Sequence, residues 1–532
     1  MDYADYVIVG AGSAGCALAA RLSEDPRNTV LLLEAGGRDL DPAIHIPAGV
    51  VRLIGNPGYD WSYLAEPDSS RGGKVELWPA GKVVGGSSSI NGMLWVRGAR
   101  GDYDKWAAMS NPGWAYDDLL PLFQRMEDSA FTASDRGTGG PIAVNRLRSR
   151  HRLAEAFEQS ATAAGLAANP DYNSGSQLGV SPPQVTQRNG ARWSAARGYL
   201  GQAKGRKNFA LITRAEVEKI VVEDGRAVSV RYRRHGTLHS ASARREIILC
   251  AGALTTPKLL MLSGMGPAAH LRQMGIEVLA DARGVGANLM EHPNANMSWD
   301  VRERTYNVEI NGPRIALHLL RWLTTRRGPA TSPYPHTVAF FETETGLSAP
   351  DIQLMFGPFA FAFSPEGVVP YRKPAVTVVA ALNHPKARGS IRLSAPDPAA
   401  KPVVDHALLS EPEDVARLTA ACKFVRTIFE QRPIAEDIVR ERLPGPEVQD
   451  DAAWDAYLRE ATFLGYHPAG TCAMGPEGVV DSELRVRGVA GLRVADASIM
   501  PSTISGNTNA AAIVIGEKAA ELIRAGGSTQ PA

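Results

Sequence analysis

The sequence has few of the features that mark secreted, metal-binding or membrane-spanning proteins. Its 532 residues contain only four cysteines, Cys16, Cys250, Cys422 and Cys472, and their spacing fits neither a CxxC motif nor a metal site. No segment approaches the ~18 consecutive apolar residues that a membrane helix needs. The N-terminus shows neither a basic region nor a small-residue cleavage site. We therefore expect reduced cysteines, no metal, no membrane insertion and a cytoplasmic location.

The sequence also has no marked excess of positive or negative charge. The 57 basic residues balance the 56 acidic ones to a net charge of +1. This balance gives no electrostatic reason to expect a nucleic-acid partner. The chain far exceeds the roughly 250–300 residues at which a single core stops growing, so we expect at least two domains. The sequence leaves the oligomeric state open.

A βαβ unit is predicted at the start of the chain. A short apolar strand, Tyr6–Val9, precedes the pattern Gly10-x-Gly12-x-x-Gly15, and a helix over Cys16–Leu22 follows it. The second strand, Val30–Leu33, ends at Glu34. This strand–glycine–helix order within ~30 residues is the context that a dinucleotide-binding fingerprint requires.

Each residue type in the fingerprint has a physical role. Gly10 permits the tight turn, Gly12 lets the backbone approach a pyrophosphate, and Gly15 allows close helix–strand packing. The helix N-terminus presents free N–H groups to the phosphates, next to Ser13 and Ala14. Glu34, followed by Ala35, is placed to accept a hydrogen bond from a ribose hydroxyl and disfavours a 2′-phosphate. The motif does not separate FAD from NAD.

Further elements are predicted from apolar periodicity. Strands are expected at Glu246–Cys250, Asp351–Met355, Ala375–Leu382 and Leu492–Ala495, and helices at Thr256–Leu262, Glu411–Arg432 and Ala510–Ile523. Residues 35–110 are rich in Gly, Pro and Trp and are expected to form long surface loops. Similar strand–loop–helix patterns at the two ends suggest one domain assembled from distant segments, with a second domain inserted between them.

Two longer segments carry a family resemblance. Residues 81–91, with Trp95, Gly98 and Asp104, resemble the first signature of the glucose-methanol-choline (GMC) oxidoreductases, and residues 252–266 resemble the second. The resemblance implies an α/β fold in which a Rossmann-like FAD-binding domain of discontinuous segments is joined to an α+β substrate-binding domain built on an antiparallel sheet. The implied boundaries are 1–147, 206–294 and 458–532 for the FAD-binding domain, and 148–205 and 295–457 for the substrate-binding domain.

The resemblance also implies how FAD is held. Some relatives link FAD covalently to a histidine where this chain has Ile90, so we expect a non-covalent cofactor. The family binds adenine through a strand that matches Glu216–Val217. Besides the fingerprint residues, the expected contacts are Val84, Gly86, Ser87, Ser88, Asn91, Gly92, Met93, Val217, Ala251, Gly252, Asp496, Ala497, Asn507, Thr508 and Asn509.

The C-terminal block supplies the catalytic candidates. His467 matches the active-site histidine of the family, and Asn507 matches a position held by His or Asn. Hydride leaves an alcohol carbon more easily as the hydroxyl proton departs, and a neutral histidine with an ordinary pKa of ~6.5 accepts that proton. An amide cannot take a net proton, but it can position the substrate oxygen and donate a hydrogen bond. We expect His467 to act as base and Asn507 as positioning donor.

The expected substrate is a primary alcohol, apolar or aromatic, because aromatic residues are frequent in the central region. These are Tyr334, Phe356, Phe359, Phe361, Phe363 and Tyr371. Met93, Tyr466, His467 and Asn507, with Val379 and Ala381 of a predicted strand, are the candidate pocket residues. His45, His292, His336 and His384 show no metal spacing, and His292 is expected to be structural.

Several alternatives stay open at this stage. Residues 149–151 and 194–200 resemble bacterial aryl-alcohol and hydroxymethylfurfural oxidases, and choline dehydrogenase-like proteins come next, so oxygen is favoured over a quinone or other carrier as electron acceptor. A lyase or photodecarboxylase shares the fold, but it has no need of an alkoxide-forming base such as His467. A non-catalytic FAD-binding scaffold would not be expected to keep the His467 and Asn507 pair.

Overall fold

The computed structural model describes residues 3–310, 313–364 and 367–527. Its first layer is a seven-stranded sheet, called here the mixed sheet because it combines parallel and antiparallel pairs. In spatial order its strands are Phe209–Thr213, Val30–Glu34, Tyr3–Val9, Thr237–Leu249, Arg226–Arg234 and Glu216–Glu223, and Leu492–Val494 pairs in parallel with the end of Thr237–Leu249. The first four strands of this order run parallel, as a Rossmann-like sheet requires.

A second seven-stranded sheet has only antiparallel pairs and is called here the antiparallel sheet. Its strands in spatial order are Ile438–Leu443, Pro293–Val301, Ala375–Leu382, Ile352–Gly357, Thr337–Phe341 and Gly179–Ser181, with Phe463–Leu464 paired to Pro293–Val301. Its central strand Ala375–Leu382 is buried at every position. An unbroken run of small and β-branched apolar side chains suits a strand covered on both faces.

Shorter strands complete the β-structure. Two-stranded pairs form between Tyr63–Leu64 and Leu77–Trp78, Gln187–Arg188 and Ala191–Arg192, Met265–Gly266 and Ala280–Asp281, Phe361–Ser364 and Gly367–Pro370, and Ser390–Arg392 and Val403–Asp405. A three-stranded sheet comprises Glu127–Ser129, Ile142–Arg146 and Gln184–Val185.

Helices surround both sheets. The α-helices are Ser13–Leu22, Pro42–His45, Arg100–Ala108, Tyr116–Met126, Arg152–Ala163, Gly201–Ala203, Thr256–Leu262, Ala268–Gln273, Tyr306–Glu309, Arg314–Thr325, Pro412–Phe429, Asp451–Ala461 and Asn509–Gly527. Single turns of 3₁₀-helix occur at Pro47–Arg52, Ser69–Arg71, Gly86–Ser89, Pro329–Thr331, Ile434–Asp437 and Ala497–Ile499, and a π-helical turn at Ala196–Leu200. Within the described residues, no helix has both the length and the apolar character needed to cross a membrane.

The predicted elements are present, with shifted ends. Thr256–Leu262 and Ala375–Leu382 match the predicted bounds, whereas the predicted strand at 246–250 is the end of the longer Thr237–Leu249. The helix predicted over residues 411–432 is shorter in the structure, where it spans Pro412–Phe429. The loop-rich interpretation of residues 35–110 fits their four short helical segments and two-residue strands, but the last part of this range belongs to helix Arg100–Ala108.

The two ends of the chain meet in the mixed sheet. The first helix, Ser13–Leu22, packs against the last, Asn509–Gly527. Arg21 pairs with the buried carboxylate of Glu517 at 2.9 Å, and Tyr199 donates to the same carboxylate at 2.6 Å. All seven strands of the mixed sheet fall in the segments 1–147, 206–294 and 458–532. In the antiparallel sheet, Phe463–Leu464 and the first two residues of Pro293–Val301 come from those same segments.

Candidate active site

A cavity of about 1910 Å³ lies where the two sheets meet. Val9 and Leu33 of the mixed sheet line it on one side, and Met355 and Val379 of the antiparallel sheet line it on the other. Ordinary small-molecule sites occupy roughly 300–1,000 Å³. The cavity therefore has room for a dinucleotide and a second reactant together.

The glycine fingerprint fits a dinucleotide at one end of this cavity. A Cβ added to Gly12 would meet only the carbonyl oxygen of Cys250, at 3.7 Å, so it would project into the cavity and occupy ligand space. Gly12 is also the N-cap of helix Ser13–Leu22, and no side chain caps that helix. The first-turn N–H groups are thus left for an anionic ligand, which is how pyrophosphates bind.

Gly15 and Gly10 have a different function from Gly12. A Cβ on Gly15 would come within 2.0 Å of the Gly10 carbonyl oxygen. Gly10 has a φ of +102°, and a Cβ there would lie 2.4 Å from the Cys250 carbonyl oxygen. These two glycines allow the helix and strands to approach each other, and Gly15 does not line the cavity.

Glu34 lies at the end of its strand with its carboxylate beside the cavity. Its two oxygens accept the backbone N–H groups of Ala11 and Gly36, each at 2.8 Å. Burial raises the pKa of Glu34 to about 7. Each carboxylate oxygen has a second acceptor site, so the side chain can still receive a ribose hydroxyl.

A second backbone turn, Gly86–Ser89, approaches the fingerprint closely. The Gly86 α-carbon faces Gly12, since a Cβ on Gly86 would lie 2.7 Å from the Gly12 Cα. The turn is braced from behind by the Ser88 hydroxyl, which donates to the Gly85 carbonyl at 2.6 Å and accepts the Ala195 N–H at 3.0 Å. Ser88 therefore supports the turn and does not line the cavity, contrary to its predicted role as a cofactor contact.

Most predicted cofactor contacts do line the cavity. They are Gly10, Gly12, Ser13, Ala14, Glu34, Ala35, Gly86, Ser87, Asn91, Gly92, Met93, Val217, Ala251, Gly252, Asp496, Ala497, Asn507, Thr508 and Asn509. Val84 lies outside the lining because it is buried, with its N–H donated to the Gly37 carbonyl. The Asp496 carboxylate is engaged by the Gly252 N–H and the Thr256 hydroxyl, at 2.8 and 2.6 Å, so it joins two segments of the wall.

The two predicted catalytic side chains are in direct contact. Nδ2 of Asn507 lies 3.0 Å from Nε2 of His467. Nε2 of Gln353 donates to Oδ1 of Asn507 at 3.1 Å, which fixes the orientation of the amide and makes its Nδ2 the donor. Burial lowers the pKa of His467 from 6.5 to about 4. The imidazole is consequently neutral at pH 7, and its Nε2 presents to the cavity wall an electron pair that accepts a hydrogen bond from Asn507.

A second histidine, not predicted to be functional, contacts the first. Nδ1 of His292 lies 3.0 Å from Nδ1 of His467, and His292 is completely buried. Because Nε2 of His467 accepts from Asn507, its single proton is on Nδ1 and is donated to Nδ1 of His292. His292 thus selects the tautomer in which His467 presents an acceptor to the cavity. Burial and the neighbouring His467 hold the pKa of His292 well below 6.5.

Glu291 fixes the backbone that carries the base. Its carboxylate oxygens both lie 2.9 Å from the N–H of His467, and Oε1 also accepts the N–H of His292 at 2.8 Å. Burial raises the pKa of this carboxyl group to about 8. The Glu291-His292 pair, just before the strand Pro293–Val301, therefore holds both the backbone and the ring of His467.

Two predicted pocket residues adopt an uncommon backbone conformation. Met93 and Tyr466 both have a φ of 64°, in the left-handed region that larger side chains rarely occupy. Both residues line the cavity, as His467 does. Non-glycine residues in this region tend to occur at functional sites, where the surrounding structure enforces them. Val379 also lines the cavity, whereas Ala381 is buried outside it.

The aromatic candidates divide between the cavity and the core. Tyr334, Phe359 and Phe361 line the cavity, and the Tyr334 hydroxyl donates to the Met355 carbonyl at 2.7 Å. Phe356 stacks on Phe157 in the core with ring centroids 4.5 Å apart. Tyr371 lies under the Arg442 guanidinium, and the side chain of Phe363 is outside the described residues. Among the described residues, no cluster of His, Cys, Asp or Glu side chains could hold a metal ion, and the four cysteines are buried and free.

Comparison with known proteins agrees with this arrangement. Residues 4–294 match the N-terminal and residues 385–516 the C-terminal sequence profile of the GMC oxidoreductases. The chain is 42% identical to an oxygen-dependent choline dehydrogenase from Rhizobium rhizogenes, over 98% of this chain and 95% of that protein. It is 41% identical to a GMC-type oxidoreductase from Mycobacterium tuberculosis, over 98% and 99% of the two chains.

Solved structures extend the comparison. Pyridoxine 4-oxidase from Mesorbium loti superposes with a TM-score of 0.90 at 33% identity, covering 98% of this chain and 99% of that one. A fungal aryl-alcohol oxidase superposes with a TM-score of 0.83 at 26% identity, covering 99% and 100%. The fingerprint, the cavity and these similarities together show that the chain belongs to the GMC oxidoreductase family of FAD-dependent enzymes that act on alcohols.

Proposed function

We propose that this enzyme oxidises a primary alcohol with an apolar or aromatic body to the aldehyde. The observation that carries the proposal is the contact between Nδ2 of Asn507 and Nε2 of His467, 3.0 Å apart at the cavity wall. A neutral base and an amide donor side by side provide both groups that an alcohol oxygen needs, one to receive its proton and one to hold it in place.

The roles of the residues follow from their hydrogen bonds. The substrate hydroxyl replaces the direct hydrogen bond between His467 and Asn507, which are 3.0 Å apart without it. It then gives its proton to Nε2 and accepts a hydrogen bond from Nδ2 as the two side chains separate. Bound FAD supplies the hydride acceptor for the alcohol carbon. As Nε2 gains a proton, the imidazole becomes cationic, and its Nδ1–H makes a charge-assisted hydrogen bond to Nδ1 of His292. His292 therefore stabilises the protonated base while it keeps the ring oriented.

The substrate class is argued from the charges around the cavity. Each carboxylate that lines it already has a protein partner. Glu76 is paired with Arg71, Asp41 accepts the Tyr59 hydroxyl, Glu216 lies 3.6 Å from Lys82, Glu309 lies 2.9 Å from His318, and Glu34 and Asp496 are held as described above. A cationic head group would have to compete for one of these anions. The aromatic rings of Tyr334, Phe359 and Phe361 favour an apolar or aromatic substrate instead.

Two finer features belong to the same proposal. Ile90 lines the cavity with a hydrocarbon side chain that cannot form a covalent bond to FAD, so the cofactor is held non-covalently. Oxygen is proposed as the electron acceptor. In support, relatives at 42% identity are named oxygen-dependent choline dehydrogenases, and similar solved structures are named oxidases.

A choline-type dehydrogenase is the second candidate. The 42% identity to choline dehydrogenases favours it, and aromatic faces such as those of Tyr334 and Phe361 can hold a quaternary ammonium group without a carboxylate. In that case, a quinone or another carrier can replace oxygen as the acceptor.

A reductive titration tests these candidates. The purified holoenzyme is mixed without air with benzyl-type alcohols, aliphatic alcohols and choline while the visible flavin band is followed, and air is then admitted. The proposal expects bleaching by benzyl-type or apolar alcohols, then rapid reoxidation with peroxide. Bleaching by choline alone would identify the second candidate, and slow reoxidation would replace oxygen by another acceptor. If no alcohol bleached the band, the proposal would be wrong.

A further inference from the structure

An exposed amphipathic helix, Arg314–Thr325, stands at the edge of the cavity. Its outer face carries Leu317, Leu320 and Leu323, which are 62%, 56% and 63% exposed. Three adjacent leucines with this exposure on one helix form an apolar patch that a soluble surface rarely shows without a partner. The three residues are called here the outer leucines.

The helix is attached to the protein by one side only. Trp322 is buried, and its indole N–H donates to the Gly190 carbonyl at 2.7 Å. Ile315, His318 and Leu319 line the cavity, although Ile315 and Leu319 remain 44% and 37% exposed. The outer leucines take no part in that lining. The helix therefore has one face that lines the cavity and an outer face whose leucines are more than half exposed.

The charges around the outer leucines are mainly positive, because Glu309, just before the helix, is paired with Arg304 and His318. Residues 313–341 contain the arginines 314, 321, 326 and 327 and no aspartate or glutamate. Directly after the helix, Pro329–Thr331 contacts the turn Pro47–Arg52, in which Val51 is 74% exposed and Arg52 is exposed as well. The apolar patch is thus bordered by cations on both sides of the cavity mouth.

This charge pattern indicates which kind of partner covers the outer leucines. In a symmetric dimer the same patch would face its own copy. Arg321 and Arg327 would then lie against the same arginines of the second copy, and the like charges would repel each other. An anionic lipid surface instead offers an apolar layer for the outer leucines and phosphates for the arginines. An interfacial helix of this kind lies in the membrane plane with its apolar face ~5–10 Å deep, between the headgroups and the acyl chains.

We propose that the face formed by helix Arg314–Thr325 and turn Pro47–Arg52 docks reversibly on an anionic membrane surface. Docking places the cavity mouth at the boundary between headgroups and acyl chains, because Ile315 and Leu319 of the docked helix also line the cavity. An apolar reactant dissolved in the lipid then reaches the cavity without crossing water. The docking proposal does not depend on which alcohol or acceptor the enzyme uses.

Vesicle flotation of the purified holoenzyme tests the proposal. Wild type is compared on phosphatidylcholine vesicles with and without phosphatidylglycerol, next to Leu317→Asp/Leu320→Asp and Arg321→Glu/Arg327→Glu. We expect binding to the anionic vesicles, reduced by high salt, and at least about a tenfold loss in each double variant. The matched controls Leu238→Asp/Val439→Asp and Arg283→Glu/Arg432→Glu alter exposed residues elsewhere and should bind as wild type does.

Other outcomes would overturn the proposal. Equal flotation of wild type and both double variants, or no flotation at all, would exclude docking through this face. A concentration-dependent dimer that Leu317→Asp/Leu320→Asp dissolves would assign the face to a second copy of the chain. Oxidation of a water-soluble alcohol should be unchanged in the double variants, since the four substituted residues lie outside the cavity lining, and this separates lost docking from misfolding.

Discussion

The contact between the two histidines leads to a quantitative prediction. In the variant His292→Leu, Nδ1–H of His467 loses its acceptor, while the buried volume stays filled. Hydrogen bonds to charged groups contribute about 1.5–3 kcal/mol, and this one gains its charge only as His467 takes the substrate proton. At about 1.4 kcal/mol for each factor of ten, the rate of flavin reduction should fall by roughly 10- to 150-fold.

Anaerobic stopped-flow reduction measures this effect directly. His292→Asn places an amide oxygen close to the position of Nδ1 and should recover part of the rate. His270→Leu removes a histidine far from the cavity and serves as the control. The flavin content and the midpoint of thermal unfolding are compared in all variants. If His292→Leu kept its flavin and reduced it at the wild-type rate, the assignment of His292 as the positioning residue would be refuted.

Three further predictions concern the base and the cofactor. His467→Ala should reduce its flavin far more slowly than wild type while keeping FAD bound, and an unchanged reduction rate would exclude His467 as the base. Gly12→Ala should lower the FAD content after purification, because its Cβ enters the cavity, while Gly201→Ala, which meets open space, should not. Acid precipitation should release free yellow FAD, and flavin that stayed with the pellet would contradict the non-covalent assignment at Ile90.

The depressed pKa of His467 predicts a pH dependence of stability. The folded state holds this side chain neutral down to a pKa of about 4, whereas the unfolded chain takes up a proton below 6.5. Its contribution to stability is therefore complete above pH 6.5 and is lost as pH falls from 6.5 to 4, by about 3 kcal/mol. His467→Gln should lack this contribution. Urea unfolding of both proteins across this range measures the difference, and parallel pH curves would disprove it.

Local patterns were enough to predict the strand–turn–helix unit at one end of the cavity. The glycines of the fingerprint act within a single strand–turn–helix unit, so their spacing in sequence determines their geometry in space. The strand Ala375–Leu382 and the helix Thr256–Leu262 were also predicted from local patterns, since each is a short, mostly apolar segment. The ends of longer elements were less predictable. The first half of Thr237–Leu249 is exposed and polar, and only its pairing with Arg226–Arg234 extends the strand.

Contacts between distant segments were not predictable from the sequence. His292 and His467 are 175 residues apart, and no spacing rule links them. The pairing of Pro293–Val301 with Phe463–Leu464, together with the bridge between Met290 and Ala469, brings the two rings together. Ser88 was predicted as a cofactor contact because it continues a glycine–serine run. Which of those hydroxyls faces the ligand depends on the turn Gly86–Ser89, and that turn directs Ser88 towards Ala195.

The position of the last strand and helix has a consequence for synthesis of the protein. Leu492–Val494 completes the mixed sheet, and Asn509–Gly527 packs against the first helix, with the Ser13 hydroxyl donating to Asn509 at 2.7 Å. Ribosomes add roughly 5–20 residues per second, and the N-terminal part of a chain generally folds first. Here the first helix gains this packing only after Asn509–Gly527 has been synthesised. We therefore expect stable FAD binding to require the strand Leu492–Val494 and the helix Asn509–Gly527 as well as the first βαβ unit.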